Sequence, residues 1–248
     1  MTNIDRHNQE IQENLKSWQR KSALRTIYQE FHQRIARSLA PQTSGMTVEL
    51  GSGVADIRHI IPDCIRTDIF PNPWIDQTEN AYALSFADHS IANLILFDVF
   101  HHLQYPGTAL KEFHRVLNHC GRVILFEPCV SLLGLIVYGA LHPEPLALKQ
   151  PIQWEAPPVW QPDQIDYYAA QGNASRIFLG RRRNWDLSGF SIVKVQRLSA
   201  ISYVASGGYS KPQMYPDSWM PLMHNIDHFC DGLPWLFATR LLIVLEAA

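Results

Sequence analysis

The chain has 248 residues, a formal net charge of -2, 46% hydrophobic residues and 18% charged ones. That length buries a sizeable core within one domain and its insertions, and the near-neutral charge lacks the basic footprint of a nucleic-acid binder, so no nucleic-acid partner is expected. Four scattered cysteines with no C-x-x-C spacing argue against a zinc ribbon or a disulfide framework and fit a reducing, cytoplasmic setting.

In chain order, residues 8–39 carry Ile11, Leu15, Trp18, Leu24, Ile27, Phe31, Ile35 and Leu39 at mainly three- and four-residue steps, the period of amphipathic helices. One or two helices are expected there, ended by Pro41 and Gly45, so residues 1–45 read as an N-terminal helical cap. Met1 to Gln12 is polar and lacks the apolar stretch of a signal peptide. Residues 46–50 read as the first strand.

The run Val48-Glu49-Leu50-Gly51-Ser52-Gly53-Val54-Ala55-Asp56 is a strand ending in an acid, then a glycine-rich turn. Glycine serves where backbone must turn sharply and approach a ligand, and such a turn presents N–H groups to a bound cofactor. A dinucleotide fingerprint needs G-x-G-x-x-G/A. The sixth position from Gly51 is Asp56, and Glu49 would repel a pyrophosphate. S-adenosylmethionine instead carries an ammonium and a sulfonium, which a carboxylate attracts.

A short helix is expected from Asp56 to Ile61 and a second strand over 64–69. Asp68, at the end of that strand, either accepts both ribose hydroxyls of an adenosine or is an ordinary loop aspartate. Residues 91–98 form a near-continuous apolar strand, as in a sheet covered on both faces. A helix over 108–117 and a strand over 123–126 follow, and the alternation implies a parallel, doubly wound α/β sheet.

Beyond Pro128 the periodicity is lost. Residues 128–188, rich in proline and aromatics, and residues 199–237 read as two lid insertions that carry substrate specificity, with further strands at 190–195 and 239–245. The apolar run Val130 to Leu141 is too short to span a bilayer, which needs about 20 residues, so no transmembrane segment is expected. It reads as a pocket wall for an apolar tail, a membrane-touching surface, or a stretch packed beneath the lid.

The glycine loop resembles motif I, E/D-x-G-x-G-x-G, of the class I S-adenosylmethionine-dependent methyltransferases, with Ala55 at the third glycine. Asn80-Ala81-Tyr82-Ala83-Leu84-Ser85-Phe86-Ala87-Asp88-His89-Ser90-Ile91 resembles the D-A-x-x-L-P-F-x-D-x-S-F stretch of the type 11 methyltransferases, with Asn80 in the acid's place and Ser85 in the proline's. Phe97-Asp98-Val99-Phe100-His101-His102-Leu103, then Arg115-Val116-Leu117 and Cys120-Gly121, resemble the family's H-H-L and R-V-L-x-P-G-G, with Cys120 for a glycine. The resemblance runs from about residue 46 to 128. It implies a Rossmann-like, mostly parallel seven-stranded sheet with helices on both faces, S-adenosylmethionine as cofactor and S-adenosylhomocysteine as product. It implies cofactor contacts from Glu49, Gly51, Ser52, Gly53, Asp68, Ile69, Asn80, Ala81, Phe97 and Asp98, and an acceptor that is a small molecule, lipid-linked or a glycan.

His101 and His102 are the candidate catalytic residues, either as a base or as packed histidines; Glu127 and Tyr209 are further base candidates. Adjacent residues point apart, which argues against a shared ion, and no metal is expected. His224 and His228, four apart, lack an evident third ligand. Tyr209, beside a Gly207-Gly208 turn, and Arg181, in a basic triplet, are candidate substrate contacts; the turn is either a gate or a plain tight turn, and the triplet either an anion site or a solvated loop. Ala55, Asn80 and Cys120 are departures that an inactive cofactor-binding or scaffold protein would also show. A nucleotide-linked oxidoreductase is disfavoured by Asp56 and Glu49.

Overall fold

A computed structural model describes residues 3–163, 167–180 and 185–248. Two helices, α1 (Asn3–Arg20) and α2 (Ser22–Ala36), precede β1 (Met46–Leu50), β2 (Cys64–Asp68), β3 (Gln77–Thr78) and β4 (Ile91–Phe97). Then follow α3 (Pro106–Val116), β5 (Leu117–Pro128), α4 (Leu132–Ile136), α5 (Asn173–Phe178), β6 (Phe190–Ser199), α6 (Ile201–Ala205), α7 (Met220–Cys230), α8 (Pro234–Phe237) and β7 (Ala238–Ala247). The seven strands lie in the order β3-β2-β1-β4-β5-β7-β6. Neighbours from β3 to β5 are parallel, and β7 runs antiparallel between β5 and β6.

Side chains alternate across this sheet and build one core on each face. Val48, Leu50, Leu94, Leu96, Val123, Leu125, Leu241, Ile243 and Leu245 pack with α3 and α5 on one side. Ile95, Phe97, Ile124, Phe126, Leu242 and Val244 pack with α2 and α7 on the other. All seven residues of β4 are buried, which is why its sequence shows no polar alternation.

The second face departs from the expected layout. The connection from β1 to β2 holds only a single 3-10 turn, Ile57–His59, capped by the Asp56 carboxylate accepting from the Arg58 N–H. The link from β2 to β4 carries no helix. The layer that crossover helices would supply comes from α2, whose Ala23, Leu24, Ile27, Tyr28, Phe31 and Ile35 are buried against Ala55, Ile57, Ile61, Ile95 and Phe97. So α2 is a core layer rather than a cap. Burying each such Leu or Ile contributes about 2 kcal/mol.

The second insertion is also more regular than expected. Its α7 buries Met220, Met223 and Cys230, a helical stripe whose few apolar residues the sequence pattern hides behind histidines and Pro221. Its Asp227 and Asp231 accept from the backbone N–H groups of Ser202 and Ser199, locking α7 to α6 and β6. The run Val130 to Leu141 is not packed beneath a lid. Leu132, Leu135, Ile136 and Leu141 are 39–60% exposed, while Val137, Tyr138 and Leu141 face a cavity. No described helix is long and apolar enough to cross a membrane.

Candidate functional site

Strand order reverses between β1 and β4, the place where open α/β sheets bind ligands beyond their strand ends. A cavity of about 660 Å³ opens there. Its walls hold Glu49, Gly51, Ser52, Gly53, Asp68, Ile69, Asn80, Ala81, Phe97, Asp98, His101, His102 and Tyr209. Every one of those side chains was expected at the site from sequence. Arg181 lies outside the described residues.

The glycine turn is knotted to β2. Ser52 N–H donates to the Thr67 carbonyl (2.9 Å), and the Thr67 hydroxyl donates to the Glu49 carbonyl (2.9 Å). Gly51 has φ +68°, and a Cβ there would stand 2.4 Å from Val99 Cγ2, so only glycine fits. Behind the turn, Arg66 donates to the carbonyls of Gly53 (2.8 Å) and Trp74 (2.7 Å). Its Nε is 3.9 Å from Glu49 Oε2, too far for a hydrogen bond. Glu49 is 2% exposed and its Oε2 has no hydrogen-bond partner. Burial pushes its carboxyl up to about 7 against the opposing pull of Arg66.

At the end of β2, Asp68 Oδ1 accepts from the Ile69 N–H (2.7 Å). Asn80 lines the cavity, yet its amide is already engaged. Oδ1 accepts from the Tyr82 N–H (3.0 Å), and Nδ2 donates to the Pro162 carbonyl (2.6 Å). It therefore staples the first insertion to the core, helped by Trp160 packing edge-on against Tyr82 and Tyr105.

At the end of β4, Asp98 takes a left-handed φ of +56° and pairs with Arg240 Nη1 at 2.5 Å. Arg240, at 2% exposure, lies 4.4 Å from the Tyr203 ring centre, a cation–π contact in a dry setting. Sequence reading passed over Arg240. The signal was a lone cation at the start of an otherwise apolar strand. Tyr209 packs on Tyr28, which stacks on Phe97, and burial pushes both phenols up. Its Gly207-Gly208 turn is tied to the chain between α1 and α2 by Lys21, whose ammonium donates to the carbonyls of Ser206, Gly208 and Lys211.

A second polar group sits farther along the wall. Glu127, completely buried, is not part of the cavity lining. It accepts from the N–H groups of Val99 (2.9 Å) and Phe100 (2.7 Å) and from His101 Nδ1 (2.7 Å), so it holds His101 rather than facing a substrate. His101 Nε2 is 3.5 Å from Glu144 Oε2, and His102 Nε2 is 3.8 Å from Glu144 Oε1. Burial disfavours a charged His101, but the Glu127 and Glu144 carboxylates overcome it and push the ring up to about 10. Burial and the neighbouring His101 pull His102 down. Glu144, supplied by the first insertion, was not expected here. His224 faces α2 instead, 3.0 Å from Glu30, and neither it nor His228 lines the cavity.

Residues 63–125 match a family model described as a methyltransferase domain, of type 11. Comparison with curated proteins gives no significant match. The fold superposes on a S-adenosylmethionine-dependent methyltransferase from Archaeoglobus fulgidus with a TM-score of 0.51 and 13% identity, over 90% of this chain and 94% of that one. It also superposes on a chain of the Haloferax volcanii complex between the Trm112 methyltransferase activator and a methyltransferase, with a TM-score of 0.50 and 14% identity, over 88% and 90%. The chain thus shares the fold of these methyltransferases and carries over residues 63–125 a segment similar to a methyltransferase domain.

Proposed function

We propose that the chain transfers a methyl group from S-adenosylmethionine to an acceptor with a polar head and an apolar body. The observation that carries this is Glu49, a buried carboxylate at the glycine turn with one oxygen that takes no hydrogen bond and has Arg66 no nearer than 3.9 Å. A cation arriving beside it gains a charge-assisted hydrogen bond that nothing in the protein supplies. The residues fit the cofactor: Glu49 meets the ammonium, the Gly51–Gly53 backbone lies along the amino-acid portion, and Asp68 meets the ribose hydroxyls. Ile69 and Ala81 flank the adenine, and Phe97 and Asp98 form the floor.

When bound, the cofactor supplies a methyl group already activated toward in-line displacement. The chain's own task is to align the acceptor and exclude water. Tyr28, Tyr203 and Tyr209 with Arg240 close one side. His101, His102 and Glu144 orient the acceptor's polar head. Val137, Tyr138 and Leu141, backed by the exposed face of α4, support an apolar or lipid-linked body over a glycan. All four cysteines are free, which supports placement in the cytoplasm.

The test supplies methyl-labelled S-adenosylmethionine with pooled organic-soluble and water-soluble metabolites. Label is expected in the organic-soluble products. Label confined to the aqueous fraction contradicts the apolar acceptor, and label in neither fraction contradicts transfer.

A further inference from the structure

We propose that His101 Nε2, His102 Nε2 and the Glu144 carboxylate form a binding site for one divalent transition-metal ion in the cavity wall. The ion's suggested use, holding an acceptor oxygen, rests on the methyltransferase reading; its binding does not.

The sequence argues against this pair, since neighbours on a regular helix diverge. Here the two histidines sit on a 3-10 turn, Phe100–His102, and their ring centres are 4.2 Å apart at 38°. Their Nε2 atoms reach the two oxygens of one carboxylate, at 3.5 and 3.8 Å, and the three ligand atoms all lie within 4.8 Å of one another. Donor atoms around a common ion, with bonds of about 2.1 Å, stand roughly 3.0–3.4 Å apart. Side-chain rotations that move the ligand atoms by up to about 1.5 Å close that difference.

The surroundings are those of ligands, not of loose surface groups. His101 Nδ1 donates to Glu127 Oε2 at 2.7 Å, and His102 Nδ1 donates to the Tyr168 carbonyl at 2.9 Å. Those partners place a proton on each Nδ1 and turn each Nε2 toward the cavity as a donor of electrons, the carboxylate–histidine arrangement that orients metal-binding imidazoles. Glu144 is aimed by the Tyr167 hydroxyl at 2.8 Å and the Gln171 amide at 2.7 Å. An independent pointer comes from Gln171 itself. It lines the same cavity at 2% exposure, and its Oε1 meets no donor. An ion-bound water or acceptor hydroxyl would satisfy it. Glu127 and Glu144 together balance a double positive charge once the ion takes the place of any proton on His101 Nε2. Two imidazoles and one carboxylate suit Zn²⁺, Fe²⁺, Co²⁺ or Ni²⁺ over Mg²⁺, and three protein ligands leave positions open for an oxygen ligand.

The experiment titrates the chelator-treated full chain with Co²⁺, followed by visible d–d absorption, with S-adenosylhomocysteine calorimetry on the same samples. One Co²⁺ per chain is expected. Glu144→Gln and His102→Gln, both at partly exposed positions, should each weaken it by about a hundredfold with the S-adenosylhomocysteine affinity unchanged. His224→Gln/His228→Gln, on α7, should leave cobalt binding intact. No cobalt bound by the wild type, cobalt retained in both cavity variants, or cobalt lost in the α7 variant each overturns the site. Cobalt bound at one equivalent without any S-adenosylhomocysteine binding overturns the cofactor reading and leaves the ion site standing. Should Glu144→Gln fail to fold by circular dichroism, His102→Gln decides the result.

Discussion

Glu49 has an ordinary carboxyl pKa of 4.5 that burial raises to about 7, and this ties cofactor binding to pH. Below about pH 7 the free chain holds Glu49 neutral, and a cationic ligand must drive off that proton. Affinity for S-adenosylhomocysteine should therefore rise from pH 6 to pH 8 by roughly tenfold and level off above. The raised value also means that the free chain loses stability as pH climbs from about 4.5 to 7, because the native state binds the extra proton there. Calorimetry at the two pH values checks the first statement, and Glu49→Gln should give a weaker, flat profile. Two other side chains offer tests in opposite directions. Cys120 occupies the family's glycine position with φ +61°, so Cys120→Gly should stabilise the chain by about 0.5–1 kcal/mol. Asp98→Asn leaves Arg240 charged, buried and unpaired, and should cost about 3 kcal/mol. Urea unfolding measures both. At this scale Glu49, Gly51 and Asp68 were expected on the cavity wall, where they lie, because glycines and strand-end acids keep fixed spacings across the adjacent strands β1 and β2. Arg240 and Glu144 were not. They reach the cavity from an antiparallel strand and an aperiodic insertion far away in the chain, where nothing local marks a partner.

The helices reassign roles that periodicity alone could not. The spacing of Leu24, Ile27, Phe31 and Ile35 identified a helix, but not what it packs on. Because the β1–β2 and β2–β4 links carry no α-helix, α2 supplies the missing layer. Leu24, with no exposed surface, should cost about 3 kcal/mol when truncated to alanine. A loss below about 1 kcal/mol in urea unfolding would mark α2 as a detachable cap. Similarly, α7 escaped notice because only Met220, Met223 and Cys230 of its residues are buried, and Pro221 reads as a breaker although it sits harmlessly in the first turn. The apolar run over 130–141 holds no helix long enough to cross a membrane. Its two-sided character, exposed on one side and lining the cavity on the other, depends on tertiary placement.

Across the whole molecule, the strand–helix alternation and the near-continuous apolar strands were enough to imply a parallel sheet wound on both faces. The family resemblance implied a mostly parallel seven-stranded sheet, but the position of β7 between β5 and β6 was not read from the sequence, since an antiparallel partner leaves no mark in an almost fully buried strand. The same topology gathers every chemical feature at one edge. Strand ends β1, β2 and β4 deliver the carboxylates, β7 delivers Arg240, and the insertions deliver Tyr209 and Glu144. The central claim is that this edge holds a cationic methyl donor by its ammonium and ribose. Calorimetric titration of the wild type, Glu49→Gln and Asp68→Asn with S-adenosylhomocysteine at pH 8 tests it most directly. One site per chain is predicted for the wild type, with each variant weakened by at least about tenfold; no heat in the wild type, or equal affinity in all three proteins, would contradict it.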